Sequence, residues 1–240
     1  MPSLPQGPAR YSYRASGEVK KVDTMDFERA RTAMVDCQVR PNAVTDFEVI
    51  NQMGSVPRER FVPEKLQKLA YLDQHLNVAA DRWMLSPMRT AQIVQLAQIE
   101  PTDIVLDVAC GTGYTAAVIS GLANAVVAID DDAELVASAT ETLSDLDIGN
   151  VAVIQSELAE GHAKEAPYDV IIIEGAVDFV TDSLKAQVAD GGRLVCVEKV
   201  DGVETAVLYT KSGKSLSRVE AFNASVPDLA SFQAVPEFRL

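Results

Sequence analysis

Residues 103–116 read Asp-Ile-Val-Leu-Asp-Val-Ala-Cys-Gly-Thr-Gly-Tyr-Thr-Ala. An apolar run of strand length reaches Asp107, breaks at a turn of small residues (Ala109, Gly111, Gly113) and resumes with helical spacing from Tyr114. Glycine at such a turn accepts positive φ and lets a ligand approach the backbone without meeting a Cβ atom. A helix beginning there aims its unpaired N–H groups back at whatever sits on the turn. The stretch predicts a strand–loop–helix corner that holds a nucleotide-shaped cofactor.

Two acids bear on which cofactor. Gly111-x-Gly113-x-x-Ala116 satisfies the dinucleotide pattern, which alone says little. Asp107, however, closes the strand directly before the turn. There it can accept from the donors of a cationic amino-acid ligand and would repel a pyrophosphate. The next apolar run, Ala125-Val-Val-Ala-Ile-Asp130, ends in an acid suited to ribose hydroxyls, a feature that NAD enzymes share. Asp131 is expected near the adenine edge and Asp132 as the N-cap of the following helix. The pattern favours S-adenosylmethionine, with S-adenosylhomocysteine as product.

Composition sets outer limits. The 240 residues with 48% hydrophobic content suit one large α/β domain. No apolar run is long enough to cross a bilayer, and the amino terminus lacks a secretory apolar segment. Cys37, Cys110 and Cys196 are odd in number and far apart, which fits reduced thiols in the cytoplasm and neither a disulfide nor a metal framework. A formal net charge of −14 argues against a nucleic-acid partner, which normally needs a basic face. His75 and His162 are not spaced as metal ligands and are expected on the surface or in loops.

The chain divides into three parts. Residues 1–24, with Pro2, Pro5, Gly7, Pro8 and Gly17, are expected to be a disordered tail, and Met25 is a plausible native start. Residues 25–240 then form one domain: a helical preface over 25–100 and a cofactor-binding body over 101–240. The preface carries helices from Met25, from Thr45 (expected cap, with Glu48 completing a capping box) and from about Pro87 to Gln98. Strands are expected near 103–108, 125–130, 151–155, 169–174 and 193–198. Helices are expected near 114–122, 132–145 and 178–189, and Gly191-Gly192 as the turn into the fifth strand. Thr205–Thr210, a Ser-Gly turn and a further run through Phe222 read as an antiparallel hairpin. This is a Rossmann-like α/β architecture: a parallel twisted sheet with helices on both faces, ended by an antiparallel hairpin, as in class I methyltransferases.

From about Met25 to Gln233 the chain resembles the protein-L-isoaspartate O-methyltransferases. The landmarks are Val56-Pro-Arg-Glu-Arg-Phe-Val-Pro63, Ala70-Tyr71, the cofactor turn with its flanks, Asn150-Val151, Pro167-Tyr-Asp-Val-Ile-Ile-Ile173 and Gln187-Val-Ala-Asp-Gly-Gly-Arg-Leu-Val195. The first string is the most specific of them. The resemblance implies methyl transfer from S-adenosylmethionine to the side-chain carboxylate of isoaspartyl residues in damaged proteins or peptides, and a cytoplasmic repair or surveillance role.

Three departures bear on the site. The family's Thr-Ile-Ser-Gln-Pro segment aligns with Trp83-Met-Leu-Ser-Pro87, so Leu85 falls at the reacting serine, with Ser86 beside it and Pro87 next. The Gly-Asp-Gly after the third strand becomes Ser156-Glu157-Leu158, where Glu157 can still accept from the adenine amino group. The Thr-Ala-Ala at the end of the fourth strand becomes Glu174-Gly175-Ala176. Ser86 and Glu174 are thus the candidate catalytic residues, and Leu85, Pro87, Gly175 and Ala176 the candidate surroundings of the acceptor. An ionised Glu174 would repel a carboxylate acceptor by about 4 kcal/mol at roughly 4 Å. It could instead serve as base for an amine, hydroxyl or thiol. Two alternatives stay open: a diverged methyltransferase with a small-molecule or other protein acceptor, and a non-catalytic sensor that binds the cofactor. Arg58 and Arg60, which bracket Glu59, could meet a substrate carboxylate, although a structural salt bridge is the commoner use of such a cluster.

Overall fold

The computed structural model describes residues 26–200 and 202–234; the expected tail over 1–24 lies outside them. Helix α1 (Phe27–Met34) is capped by the Asp26 carboxylate, which accepts from the N–H of Arg29, and one π-helical turn (Val35–Val39) continues it. Helix α2 (Phe47–Ser55) starts one residue later than the capping-box reading placed it. Asp46 accepts from the N–H groups of Glu48 and Val49, while the side chain of Gln95 takes those of Thr45 and Asp46. Aspartate caps as well as threonine, and Gln95 leaves the Thr45 backbone no reason to turn earlier.

A hairpin not anticipated from sequence follows, β1 (Leu76–Ala79) and β2 (Arg82–Met84), as a two-stranded sheet of its own. Next come α3 (Pro87–Ala97), β3 (Ile104–Val108), α4 (Tyr114–Ser120), β4 (Ala125–Asp130), α5 (Ala133–Asp145) and β5 (Val151–Gln155). The chain ends with β6 (Tyr168–Val177), α6 (Asp182–Gln187), β7 (Val188–Val200), β8 (Val203–Ser212) and β9 (Ser215–Asn223). Helix α6 is shorter than the expected 178–189, because Thr181 caps it late and Val188 already belongs to β7. The fifth strand therefore starts ahead of Gly191-Gly192, which lie within it at an irregularity of the ladder.

The main sheet has seven strands in the order β5-β4-β3-β6-β7-β8-β9. The first five are parallel and β8 and β9 run antiparallel, joined at Gly213-Lys214 with Ser212 opposite Ser215. After β3 the chain builds outward through β4 and β5, then returns to the other side of β3 for β6 and β7. That reversal leaves a crevice beyond the carboxyl ends of β3 and β6, where open parallel sheets bind ligands. Both sheet faces are covered, so the central strands are apolar throughout, as in Ile171-Ile-Ile173. Val105, Val126, Ala128, Val170 and Ile172 face the core shared with α1–α4, and Leu106, Val108, Ile129, Ile171 and Ile173 face the core over α6.

Candidate active site

Side chains alternate along a strand, so the register decides which acids meet. Asp107 lies opposite Ala128 and Ile172. Asp130 and Glu174 are each two residues beyond those partners, which sets all three carboxylates on one face at the carboxyl ends of three neighbouring strands. All three are buried, Asp107 and Asp130 completely.

Asp107 has no hydrogen-bond donor on either carboxylate oxygen. Burial, joined by the charge of Asp130 and opposed by a hydrogen bond with Glu174, raises its pKa to about 7. Glu174 accepts from the Thr115 hydroxyl through Oε2, and its Oε1 has no partner. Burial and the adjacent Asp107 charge push the Glu174 carboxyl well above the ordinary range. Two such acids cannot both ionise in a dry site, so one proton is held between them near neutral pH. Glu174 is thus buried, and the repulsion expected of it is reduced to that of the single charge the pair keeps.

The turn itself is built as the sequence indicated. Gly113 caps α4 at φ 87°, and Ala109 and Gly111 also adopt positive φ. Between this turn and the β1–β2 hairpin the structure leaves a cavity of about 10 Å³, bordered by Val78, Trp83, Met84, Thr112, Thr115 and Glu174. Trp83 stands on the hairpin with its ring partly exposed. Tyr114 also borders this space, but its ring packs beneath the Arg58 guanidinium at 4.5 Å and edge-on to Phe61. Cys110 is buried and its thiol pKa raised by that burial, so it is no nucleophile.

Asp130 and Asp131 do not stand open. The Nε of Arg82 donates to both oxygens of Asp130, at 2.9 and 3.1 Å, and its Nη2 donates to Asp131. The N–H groups of Gly111 and Asp132 donate to Asp130 as well, at 2.9 and 3.1 Å. Asp132 caps α5, as expected.

The Val56–Pro63 segment carries a fully buried arginine. Arg58 donates from Nε to the Ala70 carbonyl at 2.7 Å and from Nη2 to the Leu85 carbonyl, and it meets no carboxylate. Arg60, by contrast, forms the surface salt bridge the sequence suggested, with Asp145. Leu85 and Pro87 are buried, and Leu85 belongs to the core. Ser86 is buried at the N-terminus of α3, and its N–H donates to Nδ1 of His75 at 3.0 Å. That bond fixes the neutral ring with its proton on Nε2, which faces the Ser225 carbonyl at 3.1 Å; burial lowers the pKa of this histidine. His75 is therefore a half-buried loop residue, as expected, that also cross-links three segments.

Other candidates lie farther from the corner chemistry. Glu157 is exposed, whereas the Leu158 side chain sits in the core on the opposite sheet face, so only its backbone can meet a cofactor. A Cβ on Gly175 would come within 2.5 Å of Leu229, and Ala176 exchanges backbone bonds with Pro227 and Leu229. The structure therefore covers Gly175 and Ala176 with the C-terminal segment and does not bring them to an acceptor pocket. Among the described residues no cluster of His, Cys, Asp and Glu is placed to hold a metal ion.

The family model for protein-L-isoaspartate(D-aspartate) O-methyltransferases matches residues 29–225. The chain belongs to that family. A protein-L-isoaspartate O-methyltransferase of Koribacter versatilis is 39% identical over 187 residues, 78% of this chain and 83% of the relative. One of Shewanella sediminis is 34% identical over 192 residues, 80% of this chain and 79% of the relative. Among solved structures, a protein-L-isoaspartate O-methyltransferase superposes with a TM-score of 0.74 at 22% identity, covering 84% of this chain and 67% of the other. A Plasmodium falciparum homologue in complex with S-adenosyl-L-homocysteine gives 0.71 at 17% identity, covering 84% and 98%.

As a member of the protein-L-isoaspartate O-methyltransferase family, the chain is a methyltransferase that uses S-adenosylmethionine. Its residues suit that group. The two donor-less oxygens of Asp107 match an amino-acid ammonium, and the positive-φ turn lets a ligand approach the backbone. What sequence reasoning missed is the hairpin and its arginine. The alternation of Leu76-Asn-Val78 and Arg82-Trp-Met84 around Asp81 was the available signal, faint because each strand is only three or four residues long.

Proposed function

We propose that this protein methylates the side-chain carboxylate of isoaspartyl residues in proteins and peptides, in the cytoplasm, with residues 25–240 acting as one methyltransferase domain. The observation that carries the reading is Asp107: a completely buried acid, without a donor, at the carboxyl end of the central strand. Such a group is stable only as a neutral acid or beside a cation. The names of relatives 34–39% identical over most of the chain support the isoaspartyl acceptor. Among the described residues no helix is long and apolar enough to cross a membrane.

The bound cofactor supplies an electrophilic methyl group on a sulfonium. A carboxylate acceptor is already an anion at neutral pH, so the chain need provide no general base; its work is alignment and exclusion of water. In this reading Asp107 holds the ammonium, Asp130 the ribose and Asp131 and Glu157 the adenine. Ala109, Gly111 and Gly113 shape the bed, with Tyr114 and Leu158 beneath it. Glu174 keeps the proton that Asp107 gives up. A protonated Glu174 is a hydrogen-bond donor, so it favours an anionic acceptor where an ionised one would repel it.

Leu85 supports a second reading, a different acceptor, because it sets a core aliphatic side chain where the family's serine is expected. The two separate in one experiment. The protein is incubated with methyl-labelled S-adenosylmethionine and matched isoaspartyl and aspartyl peptides. Label that appears only on the isoaspartyl peptide, and is released as methanol in mild base, is the expected result. Binding of the cofactor without that ester points to another acceptor or to a sensor.

A further inference from the structure

We propose that Arg82 is a latch on the ribose acid: it competes with the cofactor for Asp130 and so sets the affinity with which the cofactor enters. The inference rests on the reading of Asp130 as the ribose-binding residue.

A carboxylate has about four acceptor positions, two on each oxygen. In Asp130 all four are taken. Oδ1 accepts from Arg82 Nε and the Asp132 N–H, and Oδ2 from Arg82 Nε and the Gly111 N–H. The two backbone donors belong to the loops after β3 and β4 and stay whether or not a ligand is present. Arg82 alone is removable, and its departure frees one position on each oxygen. Two positions on one carboxylate are what two vicinal hydroxyls need.

The arginine is also mounted on a separate hairpin, anchored in the core by Leu76 and Met84. The β1–β2 hairpin pairs with no strand of the main sheet. Arg82 ties it to the β4 end through Asp130 and Asp131, and Arg82 Nη1 donates to the carbonyl of Asp81 at 2.8 Å, which fixes the guanidinium over the two acids. On one flank of the hairpin the cavity over the cofactor turn holds about 10 Å³, barely the space of one water. On the other, a cleft of about 270 Å³ opens, sharing Val78 and Thr112 with the first. The arrangement closes the corner from the inside and leaves room outside for the guanidinium to swing clear. Cofactor entry then proceeds by exchange, ribose hydroxyls for guanidinium, and the apparent affinity is scaled down by the fraction of molecules that are unlatched.

The test is calorimetric titration of S-adenosylhomocysteine into the full-length protein and into Arg82→Gln, with circular dichroism to confirm folding. Glutamine keeps a polar side chain but cannot span both acids with a charge. Tighter binding by about tenfold or more in Arg82→Gln is expected; unchanged or weaker binding by a folded variant overturns the latch. A second readout needs no stable variant. In the wild-type protein the Nε–H signal of Arg82 should be protected from exchange in the free state and lose that protection on saturation with S-adenosylhomocysteine. Protection that persists in the saturated complex also refutes the exchange. If the wild type and the variant both fail to bind, the cofactor assignment fails and the latch with it; if both bind equally, only the latch fails.

Discussion

Asp107→Asn is expected to weaken S-adenosylhomocysteine binding by about 100-fold at pH 8. The carboxylate is buried, and in the free protein only the proton it shares with Glu174 offsets its charge, so a bound ammonium would be its one cationic partner. A charge-assisted hydrogen bond of about 1.5–3 kcal/mol corresponds to roughly 10- to 150-fold in affinity. The pH profile carries the sharper signature. Burial raises the Asp107 pKa to about 7, and a cationic ligand binds the ionised form. Wild-type affinity should therefore rise from pH 5.5 toward pH 8 and then level, while the variant shows a flatter profile.

Stability should move the other way. A carboxyl whose folded pKa lies above its unfolded value binds more protons when folded, so its contribution falls as pH rises from the unfolded value near 3.8 through about 7. Asn at this position has no charge to bury. The ligand-free variant is expected to melt above the wild type at pH 8, and the difference should shrink toward pH 5. A variant that both binds normally and melts normally would remove Asp107 from the cofactor's surroundings.

Arg58→Ala is expected to cost about 3–5 kcal/mol of stability, a drop of roughly 10 °C in Tm for a chain of this size. Arg58 is completely buried, reaches two backbone carbonyls in different segments and covers the ring of Tyr114. Truncation strands the carbonyls of Ala70 and Leu85 in the core, opens a cavity and releases the connection between β2 and α3 that carries Leu85. Arg58→Lys should recover only part of the loss, since one ammonium cannot span the two carbonyls that the guanidinium fork meets at once. Urea unfolding of the three proteins measures this directly; a change below 1 kcal/mol in the alanine variant would mean the buried fork is not holding these segments together.

The body of the fold was legible because its signals are local and repeated. Apolar strands ending in Asp107 and Asp130, a glycine turn and helices of the right length define a parallel sheet, and a parallel sheet fixes where its ligand crevice lies. The capping of α2 was misplaced by one residue because Thr45 and Asp46 are both good caps, and a glutamine 49 residues away decides between them. Side-chain roles in the preface were less legible for the same reason. His75 does lie in a loop, but its bonding role was not visible because its partners, Ser86 and Ser225, are 11 and 150 residues distant. Arg58 read as half of a salt bridge, since the neighbouring Glu59 is adjacent in sequence; in the fold Glu59 receives the Tyr71 hydroxyl instead. Glu174 was seen as a charge because its identity is visible in sequence and its burial is not.

The most direct test of the account is the structure of the complex with S-adenosylhomocysteine. The expected result is a ligand whose ammonium lies on Asp107 and whose ribose hydroxyls lie on Asp130, stretched across the turn from Ala109 to Gly113. A ligand bound elsewhere, or one at this turn with its ammonium away from Asp107 and its ribose away from Asp130, would contradict it.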